Sequence, residues 1–266
     1  MIDLRPKQIE DLCELKQYCG ELGAELVIIG ACAYQHHFSN EERFTSDIDI
    51  VGAFELDEFF ELEKRLQYAE WSQESPDEPH RWKSKNDSYI DLIPAGERLR
   101  EQKKVIWPDS GYKLTLVGFD HVFELAEQLE LAAELTLRII PPKVLMLLKI
   151  IAFMDRPSRS GKDLPDIRGI LERYEEGNTE RFNSDVVLGA VLPDVSVVPA
   201  FLLGLDLRAL CTPDERKVIE EFLSKMQQEE EHWPEFVEAR PTSSDNPEET
   251  VHEILDAFNK GFTDSN

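Results

Sequence analysis

Apolar positions recur at helical spacing from the start of the chain. Ile9, Leu12, Leu15, Cys19 and Leu22 predict a helix over 6–22, and Gly23 ends it. Glu25-Leu-Val-Ile-Ile-Gly30 is a β-branched run closed by glycine and predicts a buried strand. Ala31 to Phe38 fits a short helix. Thr45-Ser-Asp-Ile-Asp-Ile-Val51 alternates polar and apolar residues with period two, which predicts a second strand. Leu56 to Tyr68 reads as an amphipathic helix. Arg81–Ser84 and Ser88–Ile93 read as a hairpin about Asn86-Asp87. Further strands are predicted at 112–117 and 135–140, with a helix from about Phe119 between them.

The texture changes after Pro141-Pro142. Lys143 to Met154 is a strongly apolar helix with the prolines at its start. Arg156 to Gly161 reads as a loop. Helices are predicted over 162–175, 196–209 and 213–230, and a short amphipathic one over 249–259. The fold class is therefore α/β (α+β) with a mixed β-sheet, followed by an all-α C-terminal region. The expected domains are 1–140, 141–240 and an acidic tail, 241–266, read as a solvated face or flexible end.

Charge changes this picture in two places. The formal net charge is −25, which argues against coating nucleic acid or an anionic membrane by bulk attraction. Residues 229–266 hold eleven acids against Arg240 and Lys260. Residues 143–168 hold six bases against three acids, a local basic patch suited to a small anion such as a phosphate group. No apolar run reaches the length of a transmembrane helix, so no membrane partner is expected. Cys13, Cys19, Cys32 and Cys211 form no CxxC pair, and buried free thiols in a reducing cytoplasm are the expectation.

The candidate chemistry lies in three aspartates. Asp47 and Asp49 are two apart on a predicted strand and so project from one face. Bare, they would repel each other. Mg²⁺ (or Mn²⁺) would relieve this, because it favours hard oxygen ligands and binds carboxylates together with substrate phosphates. Asp91, on another predicted strand, is the third acid. Three carboxylates on neighbouring strands suit two-metal phosphoryl chemistry. Gly30-Ala31 closes a strand and opens a helix, where backbone N–H groups can meet a triphosphate.

Together these motifs resemble the nucleotidyltransferase superfamily of DNA polymerase β-like proteins. More narrowly they resemble the prokaryotic nucleotidyltransferases related to the AbiEii toxins. The resemblance rests on Val27-Ile-Ile-Gly-Ala31, Arg43-Phe-Thr-Ser-Asp-Ile-Asp49 and Tyr89-Ile-Asp-Leu-Ile-Pro-Ala-Gly96. It continues through Leu147-Leu-Lys-Ile-Ile-Ala-Phe-Met-Asp-Arg156 and Lys162-Asp-Leu-Pro-Asp166, and spans about 20–175. It implies that Asp47, Asp49 and Asp91 bind metal, with Asp91 helping to deprotonate the acceptor hydroxyl. It implies nucleotide contacts from Gly30, Ala31, Arg43, Ser46, Lys149 and Lys162. The implied reaction moves an NMP from an NTP to a hydroxyl on RNA, protein or a small molecule, a tRNA end being one candidate. It also implies a toxin–antitoxin or phage-defence setting, with a cognate antitoxin as partner. Ala31 departs from the pattern, since a Gly or Ser is usual there and Ala supplies no hydroxyl.

Each of these residues has a plainer reading. Asp91 could pair with Arg81, Lys149 could snorkel from the core, and Lys162 with Asp166 could be a surface i,i+4 pair. His36-His37 reads as a surface or supporting pair rather than ligands. The alternative function is a catalytically inactive module on the same fold, holding a nucleotide or a protein partner.

Overall fold

The strand-forming runs of the first half come together as one mixed sheet. A computed structural model describes residues 2, 4–38, 47–156, 163–175, 177–228, 233–239 and 246–263. The chain divides into two units, Met1–Leu145 and Met146–Asn266. The first unit contains α1 (Pro6–Glu21), β1 (Leu26–Ile28), α2 (Gly30–His37), β2 (Asp47–Gly52), α3 (Leu56–Tyr68), β3 (Ser72–Gln73), β4 (Arg81–Lys83) and β5 (Tyr89–Pro94). It continues with α4 (Glu97–Glu101), β6 (Lys104–Ile106), β7 (Lys113–Thr115), α5 (Phe119–Leu125), β8 (Glu127–Ala132) and β9 (Leu135–Ile139).

Among the described residues the main sheet has the order β3-β4-β5-β2-β1-β9-β8, with β6 and β7 as a separate pair. β2 and β5 run parallel, as do β1 and β9. The remaining neighbours are antiparallel. Period-two burial sorts the two faces of the central strands. Ile48, Ile50, Ile90 and Leu92 are buried, while Asp47, Asp49 and Asp91 between them are partly open.

α1 lies on the apolar side. Its buried Asp11 accepts hydrogen bonds from Ser88 Oγ (2.6 Å), which shares a face with Ile90, and from Ser84 Oγ (2.7 Å). Asn86 Nδ2 also donates to Asp11, at 2.8 Å. These three bonds clamp the β4–β5 turn, where Asp87 takes φ 63° as a tight two-strand turn requires. That clamp sets the register of β4 on β5, and so the place of Arg81.

Sequence periodicity misses β8, which is a largely exposed, glutamate-rich edge strand. It also misses the short elements β3, α4 and β6.

α6 (Pro142–Asp155) carries the chain into the second unit, which holds α7 (Leu164–Arg173), α8 (Asp185–Gly189), α9 (Val198–Leu210), α10 (Pro213–Gln227), α11 (Trp233–Glu238) and α12 (Pro247–Thr263). The acidic end is not a loose tail over its described part. α12 buries Val251, Ile254, Leu255, Phe258 and Phe262, and it crosses α9 so closely that glycines are needed. A Cβ at Gly204 would meet Phe258 O at 2.3 Å, and one at Gly261 would meet Phe201 O at 2.1 Å. Arg168, fully buried, donates to the carbonyls of Phe236 (3.1 Å) and Val237, capping the C-terminal end of α11. No helix among the described residues is long and apolar enough to cross a membrane.

Candidate active site

The carboxylates come from two parallel neighbours. On β2, Asp47 and Asp49 share a face. In the β2–β5 register Asp49 stands opposite Asp91 and Asp47 opposite Tyr89. Long-range parallel pairing therefore sets the third acid directly beside the second, which spacing along the chain could not show.

Asp91 is more enclosed than Asp47, with side chains 16% and 29% exposed. Burial pushes its carboxyl up to about 7, and the charges of Asp49 and Asp47 push the same way against Arg81. Among the described residues nothing donates a hydrogen bond to Asp91 Oδ1. A buried carboxylate oxygen left so is costly and invites a cation.

Among the described residues, Arg81 brings a cation to the cluster. β4 pairs antiparallel with β5 and puts Arg81 opposite Asp91. The Arg81 guanidinium donates to Asp47 Oδ2, and its Nε lies 3.7 Å from Asp91 Oδ1 and 3.8 Å from Glu74 Oε2. Its Cζ is 5.9 Å from the centre of the Tyr89 ring. Burial lowers the guanidinium's pKa, but Asp91 and Asp47 outweigh that and hold it above its ordinary value. The plainer reading of Asp91 as a partner of Arg81 is thus realised, and Asp47 shares it.

The strand end at Gly30 is built around Asp49. Gly30 adopts φ +60°, and a Cβ there would lie 2.0 Å from Asp49 Oδ2. Only glycine gives both the left-handed backbone and the room. The Ala31 N–H, at the start of α2, donates to Asp49 Oδ2 at 3.3 Å. Ile29 N–H donates to Asp49 O at 3.0 Å and ties β1 to the same residue. The amide expected to meet a triphosphate here steadies a carboxylate. Behind it, Cys32 is buried and its thiol is pushed up to about 12, by burial first and then by Asp49 and Asp47.

The donor set is all carboxylate oxygen, which suits a hard divalent cation, and the orphaned Asp91 oxygen agrees with that chemistry. In the arrangement described, however, no group of three or more His, Cys, Asp and Glu among the described residues could hold a metal ion. The present geometry is that of an ion pair.

Arg43, Ser46 and Lys162 lie outside the described residues. Lys149 belongs to the second unit, where its Nζ lies 2.9 Å from both Asp163 Oδ1 and Asp166 Oδ2. Asp166 is 1% exposed, so it is no surface partner, whatever Lys162 does. His37 is a supporting residue: its Nε2 sits 2.7 Å from Ile140 O. Sequence reasoning missed Glu74 and the aromatic wall of Tyr89 beside Arg81.

A family model, described as the nucleotidyl transferase AbiEii toxin of a type IV toxin–antitoxin system, matches residues 15–243. No curated protein matches the chain. Among solved structures the chain is similar to the antibiotic-resistance factor ANT(2'')-Ia in solution, at 15% identity and a TM-score of 0.39, covering 62% of this chain and 83% of that one. The crystal structure of ANT(2'')-Ia with adenylyl-2''-tobramycin gives 17% identity and a TM-score of 0.38, covering 61% and 87%. An antigenic nucleotidyltransferase-like protein from Paracoccidioides brasiliensis gives 16% identity and a TM-score of 0.41, covering 68% and 83%.

Proposed function

The chain belongs to the AbiEii nucleotidyl transferase toxin family, and from that premise we propose that it moves an NMP from an NTP to a hydroxyl acceptor, with a divalent metal, as the toxin of a toxin–antitoxin pair. The observation that carries the reading is the β2–β5 register, which sets Asp49 against Asp91 with Asp47 two residues away on the same face.

Asp47, Asp49 and Asp91 would hold Mg²⁺ or Mn²⁺. Such an ion, when bound, would neutralise phosphate charge and favour ionisation of the attacking hydroxyl. Gly30 gives Asp49 its place, and the Ala31 amide orients the Asp49 carboxylate. Asp91, opposite Asp49 in the register, takes the proton of the acceptor hydroxyl. The hydroxyl oxygen bonds to the α-phosphorus, the bond to the β-phosphate oxygen breaks, and pyrophosphate leaves. Arg43 and Ser46 are the proposed phosphate contacts. The acceptor is RNA, protein or a small molecule, and a tRNA end is the RNA candidate. A cognate antitoxin is the proposed partner, and the cytoplasm the proposed setting.

The presence of Arg81 on the acids favours a second reading, a non-catalytic module binding nucleotide or protein. Label transfer from each α-phosphate-labelled NTP separates the two. Wild-type protein and an Asp47→Asn/Asp49→Asn control are incubated with Mn²⁺ and total RNA, cell extract or the protein itself. Label on an acceptor with wild type alone supports transfer. No label with any NTP and any acceptor, together with nucleotide binding indifferent to metal, supports the module.

A further inference from the structure

We propose that Arg81 is a resident counter-cation of the carboxylate cluster, which a divalent ion must displace and which Glu74 then receives. The proposal rests on the metal reading of the same three acids.

Arg81 is fixed by its strand, because the antiparallel register sets it opposite Asp91. Its side chain is 22% exposed, and so is largely withdrawn from water. It reaches acids on two strands at once: Asp47 on β2, by a direct hydrogen bond, and Asp91 on β5, with Nε at 3.7 Å. An ion held jointly by Asp47 and Asp91 would meet a full positive charge there. The two cations cannot share the oxygens, since like charges at such distances repel strongly in a partly buried site.

The displaced guanidinium has somewhere to go. Glu74 Oε2 lies 3.8 Å from Nε, on the open side at 39% exposure, and the Tyr89 ring flanks the path. A short shift would exchange the two aspartates for Glu74 while the positive charge stays paired. This leaves the metal-free cluster partly neutralised rather than a set of bare, repelling acids, at the cost of weaker metal binding. Coupling of this kind is reciprocal: what the ion loses in affinity through Arg81, Arg81 loses in pairing through the ion.

The test is direct Mn²⁺ binding to the full chain, by electron paramagnetic resonance of free Mn²⁺, beside thermal melts with EDTA and with Mn²⁺. Arg81→Gln is expected to bind Mn²⁺ at least about fivefold more tightly than wild type, the lower end of ordinary coupling between sites. Its EDTA melt is expected to fall and its Mn²⁺-induced rise to exceed that of wild type. Glu74→Gln, which keeps Arg81 and removes only its receiver, is expected to bind Mn²⁺ more weakly than wild type. It carries the test if Arg81→Gln fails to fold. Arg81→Gln binding equal to or weaker than wild type overturns the proposal. So does Glu74→Gln binding at the wild-type level. If wild type and Arg81→Gln both bind no Mn²⁺, or if Asp47→Asn/Asp49→Asn binds as wild type does, the metal reading itself fails, and this proposal fails with it.

Discussion

Replacing Gly30 by alanine separates the work of the strand end from its stability. Two costs arise. Gly30 adopts φ +60°, and an L-residue held in that region costs about 1–2 kcal/mol. The added Cβ would also lie 2.0 Å from Asp49 Oδ2 and 2.9 Å from Asp49 Cβ, well inside ordinary contact. Restoring contact means moving the carboxylate by about 1.4 Å and breaking its bond from the Ala31 amide. Misplacement of a reacting group by about 1 Å can cost on the order of 100-fold in rate. Gly23 provides the control, because it has φ +73° with nothing within 4 Å of a built Cβ. Gly23→Ala should lose about 1–2 kcal/mol in a melt while keeping Mn²⁺ binding and label transfer. Gly30→Ala should lose more stability than Gly23→Ala, with transfer down on the order of 100-fold and Mn²⁺ binding clearly weakened. Folded Gly30→Ala with transfer and Mn²⁺ binding equal to those of Gly23→Ala would refute the placement of Asp49 against the strand end.

Other expectations concern packing and charge. Gly261→Ala sets a Cβ 2.1 Å from the backbone oxygen of Phe201 and should destabilise by about 1–3 kcal/mol in a melt. Gly20→Ala, in α1 with open space around it, should instead stabilise by up to about 1 kcal/mol. Glu63 is pushed up to about 7, chiefly by burial, although Gln73 donates to it. A raised carboxyl contributes stability below its unfolded value near 4.5 and loses it as pH rises through 7. Glu63→Gln should therefore flatten the melting profile over that window and be the more stable protein at pH 8. Lys149→Met leaves Asp163 and the buried Asp166 without their lysine and should cost about 3 kcal/mol or more. Adding Asp166→Asn should recover part of that loss if the lysine serves the fold, and melts of both variants decide it.

How much of this was legible depends on the range of the interaction. β2 could be read because Ile48 and Ile50 alternate with Asp47 and Asp49, and the same alternation marked β5. The periodicity predicts α12 as a short helix over 249–259, and the helix runs from Pro247 to Thr263. Val251, Ile254, Leu255, Phe258 and Phe262 make a helical stripe within the acidic end, and that stripe is the face on which the helix packs. β8 had little to read, since Glu127, Gln128 and Glu130 are exposed on an edge and only the pairing with β9 makes them a strand. The partnership of Asp49 with Asp91 was closed to sequence reasoning, because it joins residues 42 apart through a parallel contact that no turn dictates.

Arg81 is different, since its position was latent in the sequence. Strands ending at Ser84 and Ser88, with a three-residue loop over 85–87, pair Lys83 with Tyr89 and Arg81 with Asp91, and that register is found. Once those strand ends are accepted, a basic residue stands opposite the third acid. The three aspartates then belong to a set of five charged groups with Arg81 and Glu74, all in the first unit. In a chain of net charge −25, an internal cation on that set keeps the acids from repelling one another when no ion is bound. On the proposal that the acids take a divalent ion, the same cation would make the fold an exacting host for it. Substitutions of Arg81 and of the aspartates should therefore move metal affinity in opposite directions, which a purely structural ion pair would not do.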